Sequence, residues 1–172
     1  TMASHDFEGS VRFWGVRGSI PSPGPRTAAV GGNTSCVELT LGGERIIIDG
    51  GSGLRQLGEA RGGRPLAATL LFTHLHWDHI QGLPFFAPLF HPDSELTLWG
   101  PPGLEDALAC QMSRPTFPVG PEVFAARWQI KTLSPGSELR IGDLRVRTMA
   151  LRHPGGVLGY RVEGGGRSVV HL

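Results

Sequence analysis

The sequence predicts one α/β domain in which strands and two helices share a continuous core. Three observations carry this. The chain has 172 residues, 40% of them hydrophobic, which is the size and composition of a single domain. Strand-like runs alternate with two stretches of helical spacing. Its 26 glycines and 14 prolines punctuate those runs and gather into no low-complexity tract or internal repeat. Elements mixed in this way form layers of sheet and helix on one core, not separate domains.

In chain order, residues 1–10 read as a scar and N-terminal tail, since Thr1 stands ahead of a natural-looking Met2, and the domain occupies 11–172. Val11 to Val16 and Ser35 to Leu41 read as strands, separated by a Gly- and Pro-rich loop from Gly18 to Asn33. Gly42 and Gly43 turn the chain into a second hairpin arm, Glu44 to Ile48, whose isoleucines predict burial on both faces. Leu54 and Leu57 give Leu54 to Ala60 a helical face, stopped by Gly62 and Gly63. Ala68 to Phe72 and Leu96 to Trp99 are strands, and Leu104 to Met112 is a second helix ended by Pro115 and Pro118. From Trp128 the chain returns to strands, with period-two alternation over Leu144 to Leu151, then Leu158 to Val162 and Ser168 to Leu172.

Composition narrows the function. Sixteen Lys+Arg against fifteen Asp+Glu leave a net charge of +1, which removes the long-range electrostatic case for a polyanion-wrapping protein. No apolar run reaches the ~18 residues of a membrane span, and no basic start with an apolar h-region opens the chain. The sequence therefore reads as cytoplasmic, with no membrane partner. Arg outnumbers Lys by fifteen to one, which suggests a bacterium with a GC-rich genome. Cys36 and Cys110 lack metal-ligand spacing and read as reduced, mostly buried thiols.

The chemistry lies in FTHLHWDHIQG, where His74, His76, Asp78 and His79 follow directly on a buried strand. With seven histidines in the chain, such a pattern arises by accident on the order of four times in ten thousand. Four ionisable groups on one loop would repel or desolvate one another without a cation, so the cluster predicts metal binding. On an extended loop His74 and His76 project to one side and can share a metal, while Asp78 and His79 lie past a turn and can face a second. Zinc suits these donors, and manganese or iron suit them too. Trp77 reads as packing that holds the loop.

The order of IIIDGG, THLHWDHIQG and LRHPGG resembles the metallo-β-lactamase superfamily. That resemblance implies an αββα sandwich with metals at the sheet edges. It also implies that Asp49 braces the metal loop through hydrogen bonds without touching metal, and that His153 completes the first metal site with His74 and His76. VRFWGVRGSIPSPG, GGNTSC and IQGLPFF look closest to the phosphodiesterase-like branch, which holds cyclic phosphodiesterases and transfer-RNA-processing hydrolases. In those segments the backbone N–H groups around Ser19, the hydroxyl and amide of Thr34 and Asn33, and the Arg17 guanidinium suit an oxyanion and are candidate substrate contacts.

The resemblance implies a hydrolase with two zinc ions and a metal-bound hydroxide, acting on a phosphodiester, either a cyclic nucleotide or RNA. Asp78 is then the candidate to orient the nucleophile or pass a proton. Hydrolysis of esters, lactones or thioesters, a non-catalytic metal-binding or signalling module, and an iron-dependent oxidising protein are the alternatives. Similar proteins carry a bridging aspartate after the strand matching Ser168 to Leu172, and a later histidine. The sequence therefore reads as a sandwich incomplete in its C-terminal half. His171 is a strand residue in this reading, not a substitute for that aspartate. An incomplete sandwich predicts an uncovered apolar face and strand edge, association with another copy or with the missing half, one metal bound far better than two, and little turnover.

Overall fold

A computed structural model describes residues 8–172; the expected scar therefore falls largely outside the described residues. The elements run β1 (Gly9–Gly15), β2 (Cys36–Leu41), β3 (Glu44–Ile48), α1 (Gly53–Ala60), β4 (Ala67–Leu71), α2 (Trp77–Ile80), β5 (Glu95–Gly100), α3 (Leu104–Gln111), β6 (Arg127–Thr132), β7 (Glu138–Ile141), β8 (Leu144–Leu151), β9 (Val157–Gly164) and β10 (Arg167–His171). Strand β1 starts at Gly9, two residues before the hydrophobic alternation announces it.

Six strands, in the order β1-β2-β3-β4-β5-β6, make one sheet, and four, in the order β10-β9-β8-β7, make the other. The first three pair antiparallel; β3 to β6 are parallel, with α1 between β3 and β4 and α3 between β5 and β6. The β2–β3 hairpin is tight because Gly42 and Gly43 both hold positive φ, 57° and 85°, which matches the twist of the flanking strands.

Alternation along the strands divides the core in two. Ile47, Leu70, Leu96 and Leu98 meet Leu54 and Leu57 of α1 and Leu104 and Leu108 of α3 on one side of the larger sheet. Ile46, Ile48 and Leu71 meet Leu144, Val146, Tyr160 and Val162 of the smaller sheet on the other. The three isoleucines of β3 thus serve both cores, and none exceeds 1% exposure. The Tyr160 hydroxyl donates to the Phe72 carbonyl at 2.5 Å and ties the two sheets together beside the metal loop.

Among the described residues the outer face of the smaller sheet carries no helix. The expected apolar face is corrected in part. Arg145 pairs with Glu138 and Arg147 with Glu163 across the strands, and Arg161 pairs with Glu163 along β9; exposed apolar residues are Met149, Val170 and Leu172. Both cysteines are free, but the expectation of two mostly buried thiols holds only for Cys36, because Cys110 lies on the exposed side of α3. Burial pushes the Cys36 thiol pKa up and leaves it inert at neutral pH. Among the described residues no helix is long and apolar enough to cross a membrane.

Candidate metal centre

Parallel strands deliver their carboxyl ends to one rim of the sheet, and clefts form there. Asp49 follows β3, Thr73 and His74 follow β4, and Pro101 follows β5. The β8–β9 loop of the other sheet brings His153 to the same rim. Sequence-distant histidines therefore meet because two sheets end at one edge.

His74, His76 and His153 place one ring nitrogen each within 4.8 Å of one another. His153 Nε2 lies 3.2 Å from His76 Nδ1. Nitrogens about 2.0–2.1 Å from a tetrahedral cation stand about 3.3 Å apart, so this spacing is already that of two ligands on one ion. Thr73 Oγ1 lies 2.9 Å from His74 Nδ1, which leaves Nε2 of that ring for the cation. Burial and the neighbouring His79 push the His74 pKa down to about 4, with smaller contributions from His76 and His153, so the ring is neutral and its lone pair free at physiological pH. The residues present fit a divalent cation.

Beside this cradle, His79 Nε2 lies 3.5 Å from Asp78 Oδ2, and the His79 and His74 rings are 4.1 Å apart between centroids. The pair sets two further donor side chains beside the three histidines. Burial pulls the His79 pKa down, but the hydrogen bond and charge of Asp49, with the charge of Asp78, outweigh it and leave the pKa raised.

Asp49 is 1% exposed and holds the loop together. Its carboxylate accepts the Thr73 backbone N–H at 2.9 Å, the Thr73 hydroxyl at 2.9 and 3.0 Å and the Ser35 hydroxyl at 3.1 Å, and it lies 2.7 Å from His79 Nδ1. That last contact points His79 Nε2 toward Asp78. Asp49 itself has φ 62°, in the left-handed region that Asp tolerates better than most residues.

The loops expected to face substrate are differently employed. Thr34 is fully buried, and its hydroxyl accepts the Ser52 N–H at 2.8 Å and the Gln81 amide at 3.3 Å, so it is removed from the substrate contacts. Asn33 Oδ1 accepts the Ser52 hydroxyl at 3.0 Å, and its carbonyl caps Val16 and Arg17. Asn33 is a loop brace in this arrangement. Arg17 donates Nε to the Gly31 carbonyl at 3.1 Å. Ser19, at φ 67°, gives its N–H to Asp78 Oδ2 at 2.7 Å, and that donor is therefore not free for an oxyanion. Trp77 does not pack the loop: it opens α2 with 55% of its surface exposed. Ser35 and Thr73 were missed as Asp49 partners. Thr73 carries a local signal, since a hydroxyl directly before the histidine run is placed to reach both; Ser35 carries none.

A rim where two sheets end on a histidine cradle defines a metal-centred member of a sandwich superfamily. Residues 44–172 match the family model described as a beta-lactamase superfamily domain, and the chain belongs to that family. It is 26% identical over 147 residues to ribonuclease Z of Methanothermobacter thermautotrophicus, covering 83% of this chain and 44% of that protein. It is 31% identical over 160 residues to ribonuclease Z of Natronomonas pharaonis, covering 87% and 46%. The chain thus spans about half the length of these relatives. Among solved structures, the short form of human tRNase Z superposes with a TM-score of 0.67 at 21% identity, covering 96% of this chain and 68% of that one. The metallo-β-lactamase fold and the phosphodiesterase-like branch expected from the motifs are the ones these comparisons find.

Proposed function

We propose that the protein is a metal-dependent phosphodiester hydrolase acting on RNA or a cyclic nucleotide. The observation that carries this reading is the 3.2 Å approach of His153 Nε2 to His76 Nδ1, with His74 completing the triad. His74, His76 and His153 hold the first divalent cation, with zinc the preferred ion, and Asp78 and His79 contribute to a second. Bound there, the cations supply Lewis acidity and lower the pKa of a coordinated water. The chain's own groups do the rest. Asp49 keeps His79 turned toward the second position. Asp78, whose Oδ2 is held by the Ser19 N–H, would be the carboxylate to take up the proton released by the nucleophile. The ribonuclease Z relatives support phosphodiesters over other esters.

Elemental analysis and hydrolysis of bis(4-nitrophenyl) phosphate, on the chain and on His76→Ala, test the reading. Metal with slow turnover in the parent, and loss of both in the variant, are expected. A filled site without turnover on any ester favours the non-catalytic module. Turnover of carboxylic esters or thioesters alone favours the other hydrolase reading.

A further inference from the structure

A cleft of about 430 Å³ opens directly from the metal cradle, and His74 and His76 form part of its wall. Its other walls come from four separate loops and strand ends: Pro101 and Pro102 after β5, Leu133 and Pro135 after β6, and Leu151 and Val157 on either side of the β8–β9 loop. Pro154 and the main chain of Gly155 and Gly156 close it near His153. The volume lies in the range of small-molecule sites. No Lys, Arg, Asp or Glu lines it.

That lining decides what enters. A phosphate buried among prolines and leucines would have no countercharge, and a polyanion backbone needs Lys or Arg along its track, so neither occupies the cleft. The scissile phosphate belongs on the cations. The group esterified to it then lies within reach of the adjoining wall, and this group must be uncharged. Pyrrolidine rings and branched methyls give the cleft an apolar lining against which the faces of a planar ring can be buried. We infer that this proline-walled cleft is a subsite for the nucleobase beside the scissile phosphate. The inference rests on the phosphodiester reading and deepens it: specificity comes from an apolar slot next to the metals, with no cationic groove required.

The test uses the zinc-loaded chain with adenosine, adenosine 5′-monophosphate and ribose 5-phosphate as probes, followed by methyl NMR. Adenosine is expected to shift the methyls of Leu133, Leu151 and Val157. Adenosine 5′-monophosphate is expected to bind at least about ten-fold more tightly than ribose 5-phosphate. Ala150 is exposed and also lines the cleft, so Ala150→Trp fills it without disturbing the core. That variant should abolish the adenosine shifts and the ten-fold advantage while ribose 5-phosphate binds as before. Adenosine shifts that are absent, or that fall on Thr69 and Thr97 in the separate cavity at the opposite ends of the parallel strands, would overturn the subsite. Equal affinities for the two phosphates would do the same. If the phosphate adds nothing to adenosine binding, the phosphodiester reading fails, and the adenosine shifts alone still decide the cleft.

Discussion

Asp49 concentrates more of the site's architecture than any metal-facing residue. One buried carboxylate collects a main-chain N–H, two hydroxyls and an imidazole, drawn from residues as far apart as Ser35 and His79. Asp49→Asn keeps the shape but replaces one acceptor oxygen with a donor. That donor must then face Ser35, Thr73 or His79, each of which already directs a proton at the position. The charge that raises the His79 pKa disappears as well, and the imidazole becomes a poorer ligand. Zinc affinity measured by competition with a chromophoric chelator should fall about 10- to 100-fold. An unchanged affinity would show that the loop is held without this carboxylate. At this scale the sequence was most legible for residues whose chemistry is costly to leave unpaired. The histidines and Asp49 stand out because a buried charge or imidazole cluster demands a partner. Thr34 and Asn33 did not sort correctly, because a hydroxyl or amide is equally at home facing substrate or bracing a loop, and only the fold reveals which groups it meets.

Among the elements, the regular ones were legible and the irregular ones less so. Period-two alternation and the β-branched run fixed β2, β3 and β8 to within a residue, since these strands are buried on at least one face. Strand β7 was unforeseen: it has four residues, only Ile141 of them buried, and too few alternations to stand out from the turns around it. The four-residue α2 escaped notice because Asp78 and His79 occupy its centre and leave it no apolar face. Packing gives the glycine turn after β3 a specific purpose. A Cβ on Gly51 would lie 2.3 Å from the Asp78 carbonyl and 2.4 Å from Thr34 Oγ1, and one on Gly82 would lie 2.0 Å from the Gly51 carbonyl. The metal loop therefore rests its backbone directly on the glycine turn, and neither side can yield without moving Asp78. Gly51→Ala should destabilise the chain by about 1–3 kcal/mol in chemical denaturation. Gly18→Ala, where a Cβ meets only Asp78 Oδ2 at 3.9 Å, should stay within about 0.5 kcal/mol. Equal effects at the two positions would mean that the close approach does not constrain the fold.

For the whole molecule, the ion pairs across the outer face of the smaller sheet contribute little, because water screens exposed charges and ordering two long side chains offsets what attraction remains. The two sheets are joined by their shared apolar core, by the Tyr160–Phe72 hydrogen bond and, at the rim, by whatever binds the histidines. His74 and His76 belong to the loop after β4 in the larger sheet, while His153 belongs to the β8–β9 loop of the smaller one, so a cation held by all three clips the layers together. A ligand bound only by the folded state stabilises it by about 2.7 kcal/mol at a hundred times its dissociation constant. For a domain of this size each kcal/mol moves the melting temperature by about 2–4 °C, so saturating zinc should raise it by about 5–11 °C and a chelator should return it. His153→Ala tests the clip specifically. The side chain is exposed, so the metal-free variant should melt with the metal-free parent, yet the zinc-induced shift should largely vanish, because the remaining histidines lie on a single loop. A zinc shift of the same size in His153→Ala would place the cation on one sheet alone and break the link between metal binding and the joining of the two layers.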